Sequence, residues 1–336
     1  MTAFYIFAGL VFLILVHELG HFLTAKFFRI KVEEFGLGFP PRIWGKKFKE
    51  TIYSINWIPF GGFVRILGES PLDESATTDP NSFLQKPIWQ RALVLSAGVI
   101  MNVIFGWLIL SYISLVGVPS SVIIQAVSLE SPAFEAGFEI GDVIVDFDKS
   151  DNFINYLNEH KGETVSLNIK RGGETITLNP IIRFKAPANQ GLLGVSLIET
   201  GKDPVSFGLN FIDGAKNTGT ILSATFSGLI GAISTLFVGS APEVIGPVGL
   251  MGFAYQMGPT SFIFILNLLA IISLNLAIIN LLPFPAIDGG RLIFLLVEKI
   301  KGSPVPARIE SYTNAFGFLI LLVLMVLVTI KDISLL

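Results

Sequence analysis

His17-Glu18-Leu19-Gly20-His21 sets two imidazoles and a carboxylate in one short stretch of the chain. On a helix, residues i and i+4 share a face, so both imidazoles can grip a single metal ion. For this H-E-x-x-H spacing the expected ion is zinc, which lowers the pKa of a bound water to about 7 and so supplies a nucleophile near neutral pH. Glu18, next to the first histidine, is placed to act as general base and then to carry the proton to a leaving amine. The alternative is two histidines packed in a helical bundle around a neutral or paired glutamate. The setting weighs against it. "LVFLILVHELGHFLTAKFF" is otherwise membrane-like, and ionisable groups inside membrane helices are costly and usually functional.

Hydrolytic zinc sites keep three protein ligands and one open position. The chain has no cysteine and only three histidines, so the third ligand is His160 or a carboxylate. Asp288, in "NLLPFPAIDGG" (280–290), is the better candidate, because it follows an apolar stretch at the end that matches the depth of His17 and His21. Taken alone, "PFPAIDGG" reads as a helix-ending turn.

The elements that must position these residues are membrane spans. The composition is 51% hydrophobic and 15% charged, against about 25% charged in soluble domains. Four stretches are long enough to span: Phe4–Ala25, Ala92–Val116, Ser261–Leu282 and Ala315–Ile330. The first lacks the basic start and small-residue exit of a signal peptide. Lys26, Arg29, Lys31 and Arg91 flank the first loop, which places it on the cytoplasmic side and both termini outside. Within that loop, Phe35, Leu37 and Phe39 alternate with Glu34, Gly36 and Gly38, and "TIYSINWIPFGGF" is similarly β-like, which predicts a small hairpin or sheet. "SPLDESATTDPNSF" is a polar, turn-rich loop.

Four domains are expected. Residues 1–117 hold the first two spans and the β element. Residues 118–200 form an extracytoplasmic β-rich domain. Residues 201–259 are an amphipathic or re-entrant region, and 260–336 hold the last two spans. Thr218–Val238 is apolar but rich in Gly, Ser and Thr, and could span, lie in the interface or re-enter. If it crossed, Asp288 would emerge opposite His21, so it is expected to lie on or dip into the outer leaflet. A net charge of −3 and the lack of a basic stripe argue against nucleic-acid binding.

"HELGH", "NLLPFPAIDGG" and the exterior domain between them resemble the site-2 proteases, zinc-dependent intramembrane proteases, over nearly the whole chain. The resemblance is greatest to the bacterial regulator-of-sigma-E protease type. It implies a polytopic α-helical protein of the bacterial cytoplasmic (inner) membrane. Zinc would be held by His17, His21 and Asp288, with Glu18 catalytic and Asn280 contacting substrate backbone or the oxyanion. It implies that "EEFGLGFPPRIWG", with Gly36 and Gly38, presents an edge strand to an unwound substrate. "SAGVIMN" resembles the family's glycine-and-asparagine motif. Here Gly98 and Asn102 read equally as packing and interhelical hydrogen bonding, or as direct contacts to substrate.

"SPAFEAGFEIGDVIVDFD" and "GLLGVSL" resemble a PDZ domain, with Gly191 and Gly194 in its carboxylate-binding loop. A small packing domain that binds nothing is the alternative. The best-known relatives carry two such domains, and this chain has room for one. Thr218–Val238 with "EVIGPVGL" resembles a segment near the substrate path. Implied partners are the lipid bilayer and single-span membrane proteins, such as trimmed anti-sigma factors or signal-peptide remnants. The sequence does not give the oligomeric state.

Two other classes compete. A metal transporter or sensor would need further polar groups along its spans, but the third has asparagines and no charge before Asp288, and the fourth is nearly bare. A non-catalytic scaffold has no use for the glutamate, which is present at Glu18.

Overall fold

The computed structural model describes residues 2–69, 78–187, 190–238 and 262–334. "EVIGPVGL" and most of the polar loop after Glu69 lie outside the described residues. The chain divides into two compact units, one of residues 1–110, 214–254 and 264–336, the other of 111–213 and 255–263.

Among the described residues, four helices are long and apolar enough to cross a membrane: Phe4–Phe27, Ile88–Val116, Phe262–Leu281 and Ala307–Asp332. They belong to α1 (Thr2–Phe27), α2 (Ile88–Val116), α6 (Phe262–Leu281) and α8 (Ala307–Ser334). With the β-sheets described below, they make this a polytopic membrane protein. α8 begins well before the apolar stretch expected from Ala315. Polar "ARIESYTN" is helical too, because helical hydrogen bonding depends on backbone and not on polarity, and Pro304 and Pro306 set its start. α7 (Asp288–Lys301) was not anticipated at all. It is amphipathic, with Leu295 inward and Ile300 exposed, and it ends on Gly302 at φ 76° after Lys299 and Lys301.

β1 (Val32–Phe48) and β2 (Thr51–Ile66) pair antiparallel, and both strands fold back on themselves. Residues 34–37 of β1 therefore have partners on both sides. Gly36 faces Phe63 on one side and Ser54 on the other. The buried face is not the one that hydrophobic alternation suggests. Glu34 is 3% exposed, because Arg42 and Ser54 donate to its carboxylate at 2.7 and 2.6 Å. Phe35 instead turns toward α1, where its ring meets Phe22 edge-on at 5.3 Å.

In the other unit, β3 (Val118–Val127), β4 (Val143–Ile144), β5 (Leu167–Arg171), β6 (Glu174–Leu178) and β7 (Val195–Lys202) form a five-stranded sheet in the order β6-β5-β4-β3-β7. Short α3 (Pro132–Ala136) starts on Ser131, whose hydroxyl accepts from the Phe134 N–H, and stops at Gly137 with φ 86°. α4 (Ser150–Glu159) turns Phe153 and Leu157 into a core with Ile124, Ile144, Leu167 and Ile169.

The 30-residue α5 (Leu209–Val238) is longer than the stretch expected from Thr218, and it is not among the four span candidates. It packs alongside α6, past that helix's midpoint, where Thr225 Oγ1 lies 2.7 Å from Asn275 Oδ1.

Phe153 is fully buried at the centre of its core. Phe153→Ala is expected to cost about 3–5 kcal/mol. In the full-length protein this shows as protease cleavage within 118–200 at a lower temperature than in wild type. Unchanged resistance would remove Phe153 from the residues that hold this core.

Candidate metal centre

On α1 the spacing of His17 and His21 does what a helix dictates. The two rings stand 4.8 Å apart, edge to face, and their Nε2 atoms approach to 3.1 Å. Asp288, first residue of α7, brings Oδ2 to 3.1 Å from His17 Nε2 and 3.4 Å from His21 Nε2. Among the described residues these three are the group of His, Asp or Glu able to hold a metal. The two Nε2 atoms and Asp288 Oδ2 converge on one point, as the ligands of a single cation do. Asp288 Oδ2 is itself buried and lacks a directed hydrogen bond. Zinc bonds of 2.0–2.1 Å at tetrahedral angles put ligand atoms about 3.3 Å apart, which these separations match. The residues fit the ion. Burial pushes the Asp288 carboxyl up, but the adjacent imidazoles outweigh it and hold the group well below the usual carboxylate range, so it is an anion.

The wall behind the histidines is α2. Gly20 packs so tightly that a Cβ there would lie 2.7 Å from the Ala97 carbonyl carbon and 3.0 Å from the Gly98 nitrogen. A Cβ on Gly98 would lie 2.5 and 2.6 Å from His17 Cε1 and Nε2, and would strike His21 Nε2. Of the two roles open for Gly98, the geometry gives close packing, against the histidines themselves. Val94 O lies 2.8 Å from His21 Nδ1, and the Asn102 amide 3.3 Å from His17 Nδ1. Asn102 is fully buried and its side chain faces a histidine.

The turn before Asp288 is equally tight. Ala286 adopts φ 76°, a left-handed conformation that costs a residue with a Cβ. Its N–H donates to Asn314 Oδ1 of α8 at 3.1 Å. Cβ atoms on Gly289 and Gly290 would run into the carbonyls of Leu281, Leu282 and Phe284, and one on Gly317 into Pro285. The "DGG" is thus a folding instruction that turns α7 back onto the end of α6. Ion pairs from Arg291 to Glu69 and from Arg91 to Glu298 then hold α7 along its length. Neither pair was anticipated, since nothing local marks partners so far apart in sequence.

Glu18 is partly buried and is not one of the three clustered groups. It lies under β2, where a Cβ on Gly62 would sit 3.6 Å from Glu18 Cγ. Asn280, in the last turn of α6, is partly exposed and among the described residues forms no hydrogen bond to the cluster. Gly36 is not at an edge, being paired on both sides, and a Cβ on it would clash with the Phe63 ring. Gly38, at φ 76°, is likewise closed in, by the Ile58 carbonyl. Two strand edges of this sheet carry no strand partner among the described residues, the outer side of residues 62–65 in β2 and the outer side of residues 42–48 in β1. In the other unit, Gly191 and Gly194 border a groove of about 540 Å³ between α4 and β7, lined also by Ile154, Leu157 and Leu197. Gly194 is there for its φ of 81° and its contact with Ser131, whereas Gly191 is open.

Gly98→Ala is expected to displace the imidazoles and leave the purified protein with well under half the wild-type zinc. Gly106→Ala, on the same helix, meets Leu274 and the Ala270 carbonyl and neither histidine, and is expected to keep its zinc. Equal zinc in both variants would show that the α2 wall is not what holds the histidines.

Residues 5–324 match the family model for peptidase family M50. A protein of Nostoc sp. classed as a zinc metalloprotease is 37% identical over 97% of this chain and 94% of its own length. The zinc metalloprotease RasP of Bacillus licheniformis is 28% identical over 98% of this chain and 97% of its own. The regulator of sigma-W protease RasP of Bacillus subtilis is also 28% identical, over 98% and 96%. With a zinc-compatible cluster built on membrane helices and a match over nearly its whole length, the chain belongs to peptidase family M50, the site-2 protease family of membrane zinc metalloendopeptidases.

Proposed function

We propose that this chain is an intramembrane endopeptidase that cuts a peptide bond within or near a substrate's membrane-spanning segment. The observation that carries the reading is the meeting of His17, His21 and Asp288 at 3.1–3.4 Å. These three would hold the zinc. Bound there, zinc would supply Lewis-acid chemistry, polarising a carbonyl and lowering the pKa of water. Glu18 takes the proton from the attacking water and later delivers it to the leaving amine. Its place beside the ligands but outside their cluster suits a group that moves protons. Asn280, at the open end of α6, holds the substrate backbone or the oxygen on which charge develops.

A substrate helix must unwind before its peptide bonds can be attacked. An extended segment gains backbone hydrogen bonds by adding to a sheet edge. Two edges are open to such a segment, residues 42–48 of β1 and residues 62–65 of β2, and the second lies close to Glu18. The five-stranded unit with its α4–β7 groove is read as a PDZ-like domain, which screens bulky ectodomains or binds a chain end at the Gly191–Gly194 loop. The flanking positive charges favour a cytoplasmic-facing metal centre, with both termini and this domain outside a bacterial cytoplasmic membrane. The sigma-W protease name of the Bacillus subtilis relative supports membrane-bound anti-sigma factors as a substrate class, with signal-peptide remnants a second.

The test is cleavage of a model single-span protein by purified enzyme in detergent, with bound zinc measured in parallel. Glu18→Gln is expected to keep its zinc and to cut at least 100-fold more slowly. A chelator is expected to stop the wild type. Cleavage that persists in Glu18→Gln would remove Glu18 as the proton carrier. Zinc retained without cleavage across a broad substrate panel would bring the scaffold reading forward.

A further inference from the structure

Val94, Gly98 and Asn102 are spaced four residues apart and form one stripe along α2, and each faces the histidine pair. Gly98 supplies room. The other two supply hydrogen-bond partners to the outer ring nitrogens, the ones turned away from Asp288. His21 Nδ1 lies 2.8 Å from Val94 O, and a carbonyl can only accept, so Nδ1 carries a proton and, in the neutral ring, Nε2 keeps its lone pair. That is the tautomer a metal ligand needs.

His17 has no carbonyl behind it. Its Nδ1 lies 3.3 Å from the atom placed as Asn102 Nδ2, on a side chain that is fully buried. The backbone carbonyl of Asn102 is held in turn by Ser273 Oγ of α6 at 2.9 Å. A primary amide presents either its oxygen or its nitrogen after a half-turn about χ2. With the nitrogen toward His17, Nδ1 must accept, the ring proton moves to Nε2, and His17 cannot bind a metal. Asn102 Oδ1 is then also left buried without a partner. With the oxygen toward His17, Nδ1–H has an acceptor and Nε2 is free.

We infer that Asn102 is a positioning residue that accepts the Nδ1 proton of His17, so that α2 sets the tautomer of both zinc ligands, through a backbone carbonyl for His21 and a side-chain amide for His17. The inference rests on the proposed ligand set. It makes His17 the ligand that can be reached by mutation, because the partner of His21 is main chain. Outer hydrogen-bond partners of metal-bound histidines typically matter 10–100-fold in metal affinity.

The chain's three histidines make the test direct. Full-length protein labelled with ¹⁵N at histidine gives three ring signals, whose shifts distinguish Nδ1–H from Nε2–H, with and without zinc. His160, whose Nδ1 lies 2.8 Å from Tyr156 O, serves as an internal reference in the other unit. Asn102→Asp keeps an acceptor and loses the donor; Asn102→Leu loses both. The expected result is Nδ1–H for His17 in wild type and in Asn102→Asp, with zinc affinity within about tenfold of each other. In Asn102→Leu, the His17 signal alone changes and zinc binds about 10–100-fold more weakly, while the His21 signal stays in place. A merely structural role would disturb both histidines together and would not be rescued by Asp.

Nε2–H at His17 in the metal-free wild type would overturn the inference without any variant. So would Asn102→Asp behaving like Asn102→Leu. The ligand reading is tested separately: zinc bound at full stoichiometry by the His17→Ala, His21→Ala double variant would sink that reading, whatever Asn102 does.

Discussion

The backbone-to-backbone approach of α1 and α2 at Gly20 and Gly98 is the constraint on which the centre depends. Two imidazoles on adjacent turns can converge on one point only if something rigid stands behind them. A side chain on α2 would either fill that space or leave it compressible. Glycine removes the side chain and leaves backbone, whose carbonyl is both a wall and, at Val94, a hydrogen-bond acceptor. The same device recurs at Gly289, Gly290 and Gly317, where the neighbours are carbonyls and a proline. Both halves of the centre are therefore positioned mainly by main chain, which has fewer ways to move than packed side chains. In a membrane interior this matters more than in water, because close packing replaces the missing hydrophobic drive between helices.

The segment before Asp288 shows how a broken helix end is turned without leaving its backbone unpaired. The broken segment after α6 holds two prolines and a left-handed alanine. Its exposed N–H groups find partners within the protein, in Asn314 for Ala286 and in Leu282 for Phe284. Asp288 then opens α7, where a negative charge suits the positive end of the helix dipole. Along α7, Arg291 pairs with Glu69 and Glu298 with Arg91. Breaking such a pair leaves a buried ion exposed to a poor solvent, at a cost of about 3–5 kcal/mol.

Much of this was readable before any coordinates. His17, Glu18, His21 and Asp288 stood out because ionisable residues are so rare in the apolar stretches that each invites a reason. The spans were legible from length and hydrophobicity. What stayed hidden was of three kinds. Helical continuation into polar sequence, as at Ala307, leaves no trace in hydropathy. Pairings across most of the chain, such as Glu69 with Arg291, have no local signature. The burial of Glu34 in place of Phe39 inverted the usual meaning of alternation, because one small sheet had both an aromatic face for α1 and an ion pair to enclose. Asn102 was visible but its direction was not: a sequence shows that an amide is present, and only the fold shows that it looks at His17.

The ligands of the centre lie near opposite ends of the chain, His17 and His21 close to the start and Asp288 close to the finish. During synthesis the first two enter the membrane long before the third exists. The wall of α2 follows early and can seat the imidazoles, but the ligand set is incomplete until the segment carrying Asp288 has been made and inserted. A chain that stops short of Asp288 carries two of the three clustered groups and lacks the third.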